Sequence, residues 1–160
     1  MTEKEKAKKY LRDFLKIAPL SHALWRASEA LSFNRIQFKP PVLDLGCGFG
    51  EFAGVVFSQI EMGVDINVKE LEQSLRGKKY KKVKWADARN LPFGDNSYST
   101  VISVSVMEHI EKGEKVVFEA YRVLKKGGIF AFSVPTPKLY NNLFIPKVCN
   151  WLGLKRAGEK

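Results

Sequence analysis

The residues best suited to chemistry lie in Val42-Leu43-Asp44-Leu45-Gly46-Cys47-Gly48-Phe49-Gly50-Glu51-Phe52. This is an apolar run carrying one acid that passes straight into glycines at alternate positions. Glycine takes positive φ without strain and lets a ligand come close to bare backbone. Strand, glycine turn and helix in succession are how a parallel sheet builds a nucleotide-type site at the carboxyl edge of its strands. The spacing argues against two common versions. A G-x-G-x-x-G dinucleotide turn begun at Gly46 needs glycine where Glu51 stands, and a phosphate loop needs a Gly-Lys-Ser/Thr that does not follow. An acid just before the glycines, with no lysine among them, suits a ligand that has a cationic ammonium and a neutral part lying along the backbone. A glycine-rich turn of a core hairpin is the plainer alternative for the same residues.

The elements that must position this turn can be read on either side of it. Tyr10, Leu11, Phe14, Leu15 and Ile17 recur near helical spacing among charges, which predicts an amphipathic helix over residues 3–17. After Pro19, Ser21 is a potential cap for a second helix from His22 to about Phe33. Lys39-Pro40-Pro41 stiffens the approach to the first strand. A helix over 50–59, a strand over 62–65, a short helix over 68–75 and a strand near 82–85 follow. Asn90 to Ser97, with Pro92, Gly94, Asp95 and Asn96, reads as loop. Thr100 to Val104 is a buried strand. Lys112 to Leu124 is a helix, ended by Lys125-Lys126-Gly127-Gly128, and Ile129 to Val134 is a fifth strand. Strands alternating with helices imply an α/β fold with a doubly wound, mostly parallel sheet of about five strands.

Bulk properties bound the rest. A chain of 160 residues, 45% hydrophobic, can bury one good core and is read as one compact unit. It has no run of about 18 apolar residues, and its charged start lacks an apolar signal region. Cys47 and Cys149 stand far apart without metal-ligand partners, so no metal site is expected and reduced, cytoplasmic thiols are. The formal charge of +10 has two sources: residues 1–40 hold nine basic and four acidic side chains, and Arg76 to Lys84 holds six basic ones. A basic face of this kind can meet RNA or an anionic membrane, or simply be a solvated surface.

Taken together, Val42 to Phe52 resembles motif I of the class I S-adenosylmethionine (SAM) methyltransferases, and other stretches fall where that family needs them. Met62-Gly63-Val64-Asp65-Ile66-Asn67 resembles the second strand with its terminal acid. Trp85-Ala86-Asp87-Ala88-Arg89-Asn90-Leu91-Pro92-Phe93 resembles the adenine-side loop. Val106-Met107-Glu108-His109-Ile110 and Leu124-Lys125-Lys126-Gly127-Gly128 resemble the signatures after the fourth strand and before the fifth. The likeness covers about residues 40–136 and is nearest to methyltransferase type 11, similar to the quinone-biosynthesis enzymes.

The resemblance implies a Rossmann-like core and SAM as cofactor, with S-adenosylhomocysteine as product. Gly46, Cys47, Gly48 and Gly50 would lie against the methionine and ribose part, with Asp44 toward the ammonium, directly or through water. Asp65 would take both ribose hydroxyls, Ile66 would pack on the adenine, and Asp87 with the Ala88 N–H would read the adenine edge. Ser103, ending the fourth strand, would touch the methionine end. His109 is the candidate base for an acceptor proton, with His22 a second residue that could line the acceptor side. The expected organisation is amino-terminal helices capping the acceptor side (1–39), a SAM-binding core (40–136) and an apolar-basic tail (137–160). The family fold continues with two further strands that the tail does not spell out, so a longer parent enzyme is expected, with a fifth-strand edge open to homodimer pairing and a tail suited to peripheral membrane contact. The implied activity is methyl transfer to a small-molecule or lipid-like acceptor. Alternatives are a non-catalytic SAM-binding fragment and an RNA methyltransferase.

Overall fold

The computed structural model describes residues 1–135. Five strands form one sheet: β1 (Val42–Leu45), β2 (Ile60–Asp65), β3 (Tyr80–Trp85), β4 (Tyr98–Val104) and β5 (Leu124–Ser133). They run in the order β3-β2-β1-β4-β5 with every pairing parallel. The helices are α1 (Glu3–Leu15), α2 (Leu20–Phe33), α3 (Glu51–Val56), α4 (Val68–Arg76) and α5 (Gly113–Val123). Alternation along the strands builds two cores. Val42, Ile60, Ile102 and Ala131 pack with residues of α1, α2, α3 and α4. Leu43, Leu45, Val64 and Val101 pack with Val116, Ala120 and Val123 of α5. A strand buried on both faces in this way reads as a nearly continuous apolar run, and β1 is buried throughout although one of its four residues is Asp44. The doubly wound α/β architecture expected from the sequence is present. The expected absence of two further strands, and the tail, concern residues outside those described.

Several boundaries differ from expectation. No side chain caps α2: Pro19 occupies the cap position, its carbonyl accepts from Ala23 N–H at 2.9 Å, and Ser21 lies inside the helix. The helix after the glycines ends at Val56 rather than 59, because Phe57 turns extended and its ring packs 5.3 Å from that of Phe38. The expected basic-and-glycine stop of α5 is incorrect. Leu124 is already extended and pairs with Tyr98, so Lys125 to Gly128 belong to β5, with an irregularity in the ladder and Gly127 at φ +74° absorbing the extra residues. The amino-terminal helices are bound to the core through aromatic rings, Phe14 and Phe33 lying 6.2 and 5.3 Å from Phe52 of α3.

Candidate active site

The carboxyl ends of β1, β2 and β4 open into a cleft of about 540 Å³. Neighbouring strands lead away from β1 on both sides, the point where open parallel sheets place their ligands. The glycine turn forms its floor. Gly46 has φ +71°, and a Cβ there would lie 2.5 Å from both Val106 methyls, so the turn interlocks with the segment after β4. The Gly46 and Cys47 N–H groups both donate to the Val64 carbonyl, at 2.8 and 3.0 Å, which fixes the turn against β2.

Asp44 ends in the cleft wall, and its Oδ2 accepts from the Tyr80 hydroxyl at 2.7 Å. Tyr80 starts β3 and reaches Asp44 only because nothing fills the space between. A Cβ on Gly50, itself at φ +76°, would sit 2.9 Å from the tyrosine ring. Burial pushes the Asp44 carboxyl up to about 7, the Tyr80 hydroxyl pulls it down, and nearby Asp65 raises it again. Burial also raises the Cys47 thiol, so this free cysteine beside the cleft is a thiol rather than a thiolate.

Asp65 stands at the end of β2, its Oδ2 accepting from Gly48 N–H at 2.9 Å and its Oδ1 from Asn67 N–H at 2.8 Å. Each oxygen keeps a further acceptor direction. Asn67 in turn caps α4, accepting from Lys69 N–H. The exposed Ile66 side chain and buried Ala88 both line the cleft. Asp87 lines it too, gripped by Arg89 through Nε and Nη2 at 3.0 and 2.7 Å, and this pairing holds its carboxyl below the usual range. His109 is exposed at the rim, 3.9 Å from the Glu108 carboxylate. Three predicted residues do not line the cleft: His22, Gly50, whose backbone faces Tyr80 instead, and Ser103. Ser103 is fully buried, with its hydroxyl 3.3 Å from the Leu45 carbonyl, and Ser105 two residues later occupies the wall instead.

A family model described as a methyltransferase domain matches residues 43–132, more than half of the chain. The chain belongs to the class I SAM-dependent methyltransferase family. It is 31% identical over 152 residues to sterol methyltransferase-like 1 of Botryococcus braunii, a match covering 79% of this chain and 39% of the algal protein. It is 29% identical to the 2-phytyl-1,4-naphthoquinone methyltransferase of Nostoc punctiforme, over 91% of this chain and 71% of that one. A crystal structure of a SAM-dependent methyltransferase from Thermotoga maritima superimposes with a TM-score of 0.63 at 27% identity, covering 79% of this chain and 56% of that one. The chain therefore spans well under two thirds of the length of two of these three relatives.

Three features of this family member were not anticipated from sequence. Tyr80, within the basic stretch Arg76 to Lys84, is the partner of Asp44. Arg122 of α5 pins the loop after β3, donating to the Leu91 and Phe93 carbonyls at 3.0 and 2.7 Å and pairing with Glu119 and Asp95. Arg26 and Glu29 of α2 join Ser105 and Ser133, at the ends of β4 and β5, in one polar cluster. Arg-x-x-Glu at helical spacing was visible in the sequence, but nothing there linked it to serines about 76 and 104 residues away. The Arg76 to Lys84 cluster lies on and before edge strand β3, and none of it lines the cleft. Exposed lysines there also discourage pairing with another sheet.

Proposed function

We propose that this methyltransferase binds SAM along the cleft and moves its methyl group to a lipid-like or small apolar acceptor. The observation that carries the reading is that three of the six acids lining one cleft, Asp44, Asp65 and Asp87, stand at or just beyond the carboxyl ends of the neighbouring strands β1, β2 and β3, beside the glycine turn. SAM presents three kinds of donor in the same sequence: an ammonium, two ribose hydroxyls and an adenine amino group. The residues present therefore fit it. Asp44 would face the ammonium, the two free acceptor directions of Asp65 would take the ribose hydroxyls, and Asp87 with the Ala88 backbone would meet the adenine edge. Ile66 would lie on the adenine face.

When bound, SAM supplies a methyl group already activated on a sulfonium, so the protein's own task is chiefly alignment and exclusion of water. Val104, Val106 and Ile110 give the inner wall an apolar character, consistent with the sterol and naphthoquinone named for the two relatives. The amino-terminal helices would cap the acceptor side, since α2 reaches the cleft through Arg26. His109 at the rim is the residue available to take an acceptor proton.

Calorimetric titration with SAM and with S-adenosylhomocysteine tests the reading. Wild type is expected to bind both at micromolar concentration. Asp65→Ala, which removes two charge-assisted hydrogen bonds, should weaken binding by about a hundredfold or more. A folded wild-type chain that binds neither ligand would sink the proposal.

A further inference from the structure

The corner between α1 and α2 carries large apolar side chains that none of the described residues covers. Leu15, Ile17, Leu20 and Leu24 each keep between 45 and 59% of their surface exposed. Leu20 and Leu24 stand one turn apart on the same face of α2, while Leu15 and Ile17 lie at the end of α1, just before Pro19. An exposed leucine by itself is ordinary, but this group, gathered at one bend of the chain, forms a patch. The bend is tied down from inside. The Phe14 carbonyl accepts from the Ile17 and Ala18 N–H groups at 3.0 and 2.9 Å, the Phe14 ring is buried near Phe52, and Ala23 is fully buried on the inner face of α2.

The course of the chain puts this corner on the cleft side of the molecule. Glu29 of α2 meets Ser105 and Ser133 at the carboxyl ends of β4 and β5. Past the other end of α2, Lys39 N–H donates to Thr100 Oγ1 near the amino end of β4. The helix therefore runs from the carboxyl edge of the sheet toward the amino edge, and its first turns stand beyond the carboxyl edge. Arg26 lines the cleft, and Leu20 lies about 9 Å further out along the helix. Glu3 at the start of α1 pairs with Arg35 just past α2, so α1 folds back alongside and brings its own end to the same corner.

Charge names the partner. From Lys6 to Ser28 the chain carries Lys6, Lys8, Lys9, Arg12, Lys16 and Arg26 against one acid, Asp13, which Lys9 and Lys16 already engage. A second copy of the chain would set these cations against themselves across a two-fold axis. Nucleic acid would want aromatic rings for its bases, whereas the patch is aliphatic. Aliphatic side chains set in a basic helical hairpin suit an anionic lipid surface. We propose that the α1–α2 corner docks on such a surface, its leucines entering the interfacial layer and its basic side chains facing the headgroups, so that an apolar acceptor passes from the lipid into the cleft. The proposal rests on the lipid-like acceptor read above. It places the membrane contact in the amino-terminal helices, not in the tail where the sequence suggested one.

Flotation with vesicles of phosphatidylcholine alone, or with about a third phosphatidylglycerol, tests the docking. Wild type should partition onto the anionic vesicles at least about tenfold more strongly than onto the neutral ones, and added salt should weaken the binding without abolishing it. Leu20→Ser combined with Leu24→Ser should lower the partition coefficient at least about tenfold, with S-adenosylhomocysteine affinity unchanged. Leu20→Trp should add a blue-shifted emission on anionic vesicles, a readout that does not depend on the serine variant. Lys82→Gln with Lys84→Gln on β3, and Trp151→Ser with Leu152→Ser in the tail, should each stay within about threefold of wild type. Binding lost in either of these pairs and kept in the leucine variant would overturn the assignment. So would a wild-type dimer in light scattering that the leucine variant dissolves, with no flotation. Wild type that binds S-adenosylhomocysteine but floats with neither vesicle would overturn the docking and leave the cofactor reading intact. Methyl transfer from labelled SAM into a detergent-dispersed total lipid extract checks the acceptor separately, since detergent removes the need to dock. Its absence in a protein that floats as expected would count against the lipid-like acceptor and with it the purpose assigned to the docking.

Discussion

Asp44 offers the sharpest test of how this cleft handles charge. Its carboxyl, buried between the sheet and the glycine turn, is pushed up to about 7. A carboxyl in an unfolded chain titrates near 4, so the folded state holds this proton more tightly and loses stability as pH rises from about 4 to 7. At ~1.4 kcal/mol per pH unit, this is a cost of about 4 kcal/mol once the group is ionised. A bound ammonium reverses the preference, because it needs the ionised form. Ligand binding must then expel a proton below neutrality. The ionised fraction rises from about a tenth at pH 6 to about nine tenths at pH 8, so affinity for S-adenosylhomocysteine should climb about tenfold across that window. The ligand's own ammonium stays protonated there.

Calorimetry in two buffers of different ionisation enthalpy reads both the affinity and the number of protons released. Asp44→Asn should bind the ligand more weakly, with a flatter pH profile and less proton release. It should also be more stable than wild type at pH 8, by up to a few kcal/mol, because the ionisation penalty is gone while the Tyr80 hydroxyl keeps an oxygen to donate to. The difference between wild type and the Asn variant isolates the Asp44 share of the proton release. The reasoning fails if wild-type affinity is flat between pH 6 and 8, or if proton release is the same in both proteins.

Four further outcomes are expected. Tyr80→Phe removes the hydroxyl that lowers the Asp44 carboxyl, so the rise of affinity should shift to higher pH, with a stability loss of about 1–2 kcal/mol by urea denaturation. Gly46→Ala places a methyl 2.5 Å from the Val106 methyls on a positive-φ backbone; combining it with Val106→Ala should relieve the clash with those methyls but not the backbone strain, giving a non-additive cycle in thermal unfolding. Arg122→Ala leaves two carbonyls of the Leu91–Asp95 loop without their donor and removes two ion pairs, and should lower stability by about 2–3 kcal/mol while leaving the loop more open to proteolysis. His109→Ala, at an exposed rim position, should leave S-adenosylhomocysteine affinity within about twofold, whatever it does to turnover.

What could be read from the sequence divides along a physical line. Contacts local in sequence announced themselves: the acid-then-glycine turn, the acid at the end of β2, and the alternation of apolar strands with helices all depend on residues a few positions apart. The failures come where distant segments meet. Ser103 and Ser105 are both serines at the end of β4, and only the register with β1 turns the first onto the Leu45 carbonyl and leaves the second facing the cleft. The stop expected at Lys125 to Gly128 obeys good local rules for ending a helix, but the ladder between Tyr98 and Leu124 captures the chain first. Tyr80 carries no local signal at all. Its role exists because Gly50, Gly63 and the start of β3 share one space, so that a tyrosine among lysines becomes the only hydrogen-bond donor given to a buried acid among the described residues. Arg26 and Glu29 belong to the same class, their meaning being supplied by two serines from the far half of the chain. Donor and acceptor positions that contact a ligand through backbone can thus be found by pattern, whereas the groups that set the charge of those positions require the folded chain. A substitution at Tyr80 would look harmless in the sequence and should still shift the pH at which Asp44 ionises.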